Sequence, residues 1–166
     1  MWPTRDWKKI IGILIGLAMA ATAYGAVETD TPNAVETALT AELRVPQSDN
    51  SKAYRFVRAQ TVQQGEEIFY TVKIHNPGMQ TLSSAVIVQP IPANTHYIAN
   101  SATGGGAKVE FSTDGGYHFA EAANLSAPYN STTGRRITSY THIRWTLQHP
   151  LPPKSVLLAR FRVEFQ

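Results

Sequence analysis

The residues with the most chemical potential in this 166-residue chain are a Ser-x-Asp-x-Gly run, Ser112-Thr113-Asp114-Gly115-Gly116-Tyr117-His118-Phe119, and five scattered histidines. Three chemistries fit the run on paper: a sialidase-type Asp-box, part of a calcium loop, or a hairpin turn. In an Asp-box, Ser and Asp close a hairpin by side-chain to backbone bonds above an aromatic ring, so even a match is structural and not catalytic. An EF-type calcium loop needs oxygen ligands at alternate positions and a distal bidentate carboxylate, whereas only Asp114 is in place here, with Glu121 a distant second. Asp-Gly between two alternating segments is a strong short-range hairpin signal. The run is expected to make a turn.

His75 and His142 are expected to point outward on strands that could be neighbours, but Lys73 and Arg144 beside them would repel a cation. His96, His118 and His149 fall in corners and turns. No Gly-x-Ser-x-Gly elbow occurs, and there is no cysteine to act as a thiol nucleophile, a zinc ligand or a disulfide partner. Glycosidase chemistry needs two inward carboxylates on rigid strands, and Glu110 and Asp114 lie on or near a short hairpin. Asn124-Leu-Ser and Asn130-Ser-Thr fit the pattern of glycan acceptors. The residues therefore assign no catalytic, cofactor-binding or metal-ligating side chain, and the chain is expected not to be an enzyme.

These side chains need elements to hold them, and the composition, 43% hydrophobic with 16% charged residues, supplies enough apolar material for a core. The N-terminus is set apart. Arg5, Lys8 and Lys9 precede an apolar run, Ile10 to Ala21, and the small residues Ala21-Thr22-Ala23, which is the layout of a secretory signal peptide. A retained membrane anchor is the rival, but it would need about 20 apolar residues, and Gly12, Gly16 and Thr22 leave this segment short. Cleavage is expected after Ala23, with Ala26 the second choice. Residues 1–23 are thus assigned to a signal peptide, 24–36 to a flexible leader and 37–166 to one domain. Removing the signal takes Arg5, Lys8 and Lys9 against Asp6 out of the formal +3, leaving the mature chain near neutral. Nucleic acid, which calls for a concentrated basic face, is excluded as a partner.

Within the domain the dominant period is two. Ile68, Tyr70, Val72 and Ile74 alternate with Phe69, Thr71, Lys73 and His75, and Pro77-Gly78 ends that strand. Leu39 to Val45 gives an earlier strand and "AYRFVRAQTV" an irregular one. Further strands are read at Ala85–Gln89, His96–Ile98, Lys108–Ser112, Tyr117–Ala120, Thr141–Leu147 and Leu157–Phe165. Trp145, Tyr70 and Phe161 are expected inward. Short strands, turn residues between them and no helical period predict an all-β antiparallel immunoglobulin-like or Greek-key sandwich of about seven or eight strands. An outer-membrane barrel, the structural rival, would need about eight strands of 9–11 residues.

In their order, Gly65, "YTVKIHNPG", "PIPANTHYI", "FSTDGGYHF", "IRWTL" and "LPPKSVLLARFRV", spanning roughly Thr61 to Glu164, make the chain resemble the conserved-repeat domain of bacterial and archaeal surface proteins, an immunoglobulin-like domain of unknown function. Two positions depart from that pattern: Gln89, where the family often has an acid, and Pro152-Pro153-Lys154, where it often has Pro-Gly. The resemblance implies an exported structural or adhesive role in the periplasm or at the cell surface, with another envelope or surface protein as partner and no membrane insertion after signal cleavage. A small carbohydrate-binding domain is the alternative from a different class. A filament subunit is another, because residues 24–50 carry a net of 4 negative charges and residues 131–166 a net of 5 positive ones. That asymmetry is expected to act within one domain, the first strand docking on its own sheet, and otherwise to support strand addition between copies.

Overall fold

The structure is a computed structural model of the full chain that describes residues 35–47, 53–122, 129–130 and 134–166. The signal segment with its cleavage sites, all but the last residues of the leader, and Asn124 lie outside these residues. Eleven strands occur among those described: β1 (Glu36–Pro46), β2 (Tyr54–Arg58), β3 (Glu67–His75), β4 (Val86–Pro90), β5 (Thr95–Ile98), β6 (Thr103–Gly104), β7 (Ala107–Ser112), β8 (Tyr129–Asn130), β9 (Arg135–Thr138), β10 (His142–Leu147) and β11 (Val156–Phe165). The fold is all-β, and every pairing is antiparallel.

Alternating hydrophobicity decides which face of each strand is buried, because successive side chains point to opposite sides of the pleat. In β3, Ile68, Tyr70, Val72 and Ile74 are buried; in β10, Ile143, Trp145 and Leu147; in β11, Ala159, Phe161 and Val163. These three strands are central, and two sheets collect around them to form a β-sandwich. The larger runs β2-β1-β3-β11-β5-β9-β8, with β6 also paired to β11; the smaller runs β4-β10-β7. Between them Tyr70 stacks on Phe161 at 5.0 Å, Trp145 meets Phe161 at 6.1 Å, and Tyr97 packs on Phe111 at 4.9 Å. Gly104 is required here, since a side chain at that position would come within 2.8 Å of the Trp145 ring.

β1 docks on β3 of its own domain in a long register, Glu36↔His75 to Leu43↔Ile68. β3 separates it from β11, so the acidic and basic ends of the chain share a sheet without touching strand to strand. Tyr117–Ala120, read as a strand, is instead a loop closed by one bridge, Phe111↔Ala120. β6, β8 and β9 were not legible as strands, being two to four residues long. His75 and His142 do not lie on neighbouring strands: β3 belongs to the larger sheet and β10 to the smaller. The chain crosses between sheets after β3, and that crossover cannot be read from the alternation of either strand.

Two corners brace the sandwich. Asn76, immediately after β3 and fully buried, donates from Nδ2 to the carbonyls of Gln80, Leu151 and Pro152 at 2.8–3.0 Å and accepts at Oδ1 from the Gly78 N–H. It thereby ties the segment after β3 to the one before β11, where Lys154 adopts a left-handed φ of 58°. The other brace is the Tyr97 hydroxyl, which accepts the N–H groups of Ser101 and Ala102.

Candidate functional site

The Ser112–Phe119 run leaves the C-terminal end of β7 and returns to it, with Phe111 and Ala120 exchanging two backbone bonds at 2.8 and 3.0 Å. Positive φ falls on Gly115 and Gly116, one residue later than an Asp-Gly turn would place it. Ser112 Oγ donates to Asp114 Oδ1 at 2.7 Å and accepts the Gly116 N–H at 2.9 Å. Asp114 Oδ1 also accepts the N–H groups of Tyr117 and His118, and its Oδ2 lies 2.6 Å from His118 Nδ1. These bonds, led by the His118 N–H, hold the Asp114 carboxyl far below the usual carboxylate range. The side chain is thus engaged in shaping the turn, which it closes by side-chain to backbone bonds.

Beyond the turn, Phe119 lies under the Arg144 guanidinium, 4.3 Å from its ring centre. Arg144 on β10 donates from Nε and Nη2 to Glu110 Oε2 on β7 at 3.0 and 2.8 Å, and Lys108 Nζ bridges Glu110 and Glu121 at 3.2 Å each. The Arg144 bonds come first among the causes that lower the Glu110 carboxyl from its ordinary value. Glu110 and Asp114, the two acids weighed for hydrolysis, are therefore both ionised acceptors committed to neighbours. The histidines are dispersed: His75 reaches Glu36 at 3.1 Å, His96 contacts Gln166, His118 pairs with Asp114, His142 contacts Thr141, and His149 packs against Gly106. Among the described residues no group of three His, Asp or Glu side chains is placed to hold a metal ion, and no helix is long and apolar enough to cross a membrane.

The arrangement best suited to binding was not singled out from the sequence. On the outer face of the larger sheet, Tyr54 and Phe56 of β2 are 56% and 52% exposed. Phe56 meets Phe69 of β3 edge-on at 5.1 Å. The Arg44 guanidinium lies 4.9 Å from the Tyr54 ring centre and 5.7 Å from that of Phe69, with Arg162 at 5.9 Å from Phe69 on the other side. Glu67 fixes both cations, Arg162 at 2.7 Å and Arg44 at 3.9 Å. The register explains the cluster, because Phe56 pairs with Arg44, and Phe69 lies across from Glu42 on one side and Arg162 on the other. The sequence signal was present in "YRFVR", whose aromatics occupy alternate positions. It remained ambiguous because an aromatic stripe on a strand is equally a core face until its partner strands are known.

Comparison with family models, with curated proteins and with solved structures gives no match.

Proposed function

We propose that the chain is an exported, non-enzymatic β-sandwich of the conserved-repeat, immunoglobulin-like kind, acting in the bacterial periplasm or at the cell surface by binding another envelope protein. The observation that carries this reading is the Tyr54–Phe56–Phe69 cluster braced by Arg44 and Arg162. Aromatic and arginine side chains are the types most enriched at the energetic centres of protein interfaces, and here their geometry is held by Glu67 before any partner arrives. Support for a non-catalytic role comes from the commitment of Asp114 and Glu110 to the turn and to Arg144. Export is supported by the basic and apolar layout of residues 1–23.

Two measurements test it. The intact mass of the protein from an envelope fraction is expected to begin at Tyr24, and a species that retains Met1 to Ala23 and needs detergent for extraction overturns export. A photo-reactive residue in place of Tyr54 is expected to capture, in intact cells, a discrete partner other than a second copy of this chain, one that a probe at Thr113 does not reach and that Arg44→Glu abolishes. Equal capture from both positions defeats the assignment of the face. The flat exposed rings of Tyr54 and Phe56 also favour a carbohydrate reading. Binding on a glycan array that is lost in Tyr54→Ala would replace the protein partner by a sugar.

A further inference from the structure

Sheet edges are where unpaired backbone groups remain, and proteins usually blunt them with proline, lysine, bulges or a covering segment. The smaller sheet follows that rule: β4 ends at Pro90 with Pro92 just beyond, and the end of β7 is bridged to Ala120. β2 is different. Its bonds to β1 are flanked by Ala59 N–H to Ala41 O and Gln47 N–H to Ala53 O, both 2.9 Å, so positions 53, 55, 57 and 59 face β1. By the alternation of an antiparallel ladder, the N–H and C=O groups of Tyr54, Phe56 and Arg58 face the other way. Among the described residues no strand pairs with that edge; it is five residues long and carries no proline or lysine, its only charges being Arg55 and Arg58.

We propose that β2 is a self-complementary dimerisation strand, two copies pairing β2 with β2 antiparallel about a two-fold axis at Phe56. The sequence Tyr54-Arg55-Phe56-Val57-Arg58 suits a second copy of this chain. With Phe56 opposite Phe56 as a closely spaced hydrogen-bonded pair, Tyr54 lies opposite Arg58 of the second copy, and Arg58 opposite its Tyr54. Each of these pairs can exchange two backbone bonds. The side chains match as well: Tyr54 already accepts one guanidinium, Arg44, over its ring at 4.9 Å, and the Phe56–Phe69 contact extends across the axis into an aromatic row. The axis closes the assembly at two copies, unlike head-to-tail strand addition. On the opposite face the two Arg55 side chains fall on a diagonal roughly 7–8 Å apart between backbones. Their repulsion opposes pairing, so added salt tightens this dimer.

The chain contains no cysteine, which makes the test clean. Phe56→Cys in the full chain is expected to form a disulfide-linked dimer under mild oxidation, since paired backbones about 5.5 Å apart suit that bond, whereas exposed Thr113→Cys is not. Sedimentation up to about 1 mM, where even a weak contact is populated, is expected to show dimer that increases with salt and with Arg55→Gln. Two substitutions on this exposed edge separate the two-fold register from general stickiness. Phe56→Glu sets like charges face to face and raises the dimer Kd about tenfold or more, while Tyr54→Glu sets a carboxylate opposite Arg58 and leaves the Kd within about threefold or lowers it. Equal weakening by both overturns the register. A monomer at every concentration, or cross-linking of Phe56→Cys no faster than of Thr113→Cys, overturns the dimer.

Discussion

Asn76 and Asp114 each follow a strand, each organise a chain reversal, and each bind several backbone groups with one short side chain, yet one is a buried neutral amide and the other an exposed anion. The difference lies in what the surrounding backbone presents. Three carbonyls converge on Asn76, and only a donor can satisfy them; a charge there would lose its hydration without recovering it. Around Asp114 two N–H groups and a hydroxyl converge instead. An ionised acceptor binds these more strongly than an amide oxygen does, and solvent hydrates the remaining charge. Local polarity, together with burial, thus dictates which of two nearly isosteric residues belongs at each turn. Their reach differs as well: Asp114 bonds within its own loop, whereas Asn76 joins segments 75 residues apart.

Exchanging the two chemistries breaks the comparison most severely at the buried end. Asn76→Asp places a carboxylate against three carbonyl oxygens without a cation, and is expected to cost about 3–5 kcal/mol in urea unfolding at neutral pH. Its folded-state pKa must be raised, so the loss relative to the parent shrinks as pH falls through that raised value. A loss that does not change between pH 7 and 4 defeats the electrostatic explanation. Asn76→Ala, which leaves the same carbonyls without a donor but adds no charge, should cost about 1–3 kcal/mol.

At the exposed end the effects are smaller, and the pH dependence comes from a depressed carboxyl pKa in the parent in place of a raised one in the variant. Asp114→Asn keeps an acceptor for the turn and loses the charge and the His118 pair, and its melting temperature should fall by less than that of Asn76→Ala. Because the Asp114 pKa is depressed in the folded state, its contribution is complete above the ordinary carboxylate value of about 3.9 and is lost as pH falls toward the folded pKa. The gap between parent and Asp114→Asn is therefore expected to narrow as pH falls below about 4. A gap that widens below that pH contradicts the hydrogen-bond assignment.

The smallest effect tests the segment that Asn76 secures. Lys154 holds a φ of 58°, a region that costs a residue with a Cβ about 1–2 kcal/mol. Lys154→Gly relieves that cost, loses the Nζ bond to the Pro77 carbonyl and gains freedom when unfolded, so its net effect should be under about 1 kcal/mol. Lys154→Ala loses the same bond and keeps the strain. It should melt below Lys154→Gly, and the reverse order would show that the corner is not held in the left-handed region.

Much of this architecture was legible in the sequence. Alternation in Ile68–Ile74, Ile143–Leu147 and Leu157–Phe165 marked the faces that bury Tyr70, Trp145 and Phe161, because which side a residue faces is a property of a single extended strand. Turn chemistry was equally local: Pro77-Gly78 ended β3, and Asp114-Gly115 announced a chain reversal after β7, though not the loop that Ser112 and Asp114 close in place of the strand read at Tyr117–Ala120. Tertiary structure alone decided which strands became neighbours. It separated His75 from His142, brought Arg44, Phe69 and Arg162 to one face, and set Asn76 under Leu151 and Pro152. Each of these depends on crossovers between sheets and on the register of strands far apart in the chain. Pairing of that kind is selected by burying both faces of the core at once, a constraint to which no single segment's hydrophobic period refers.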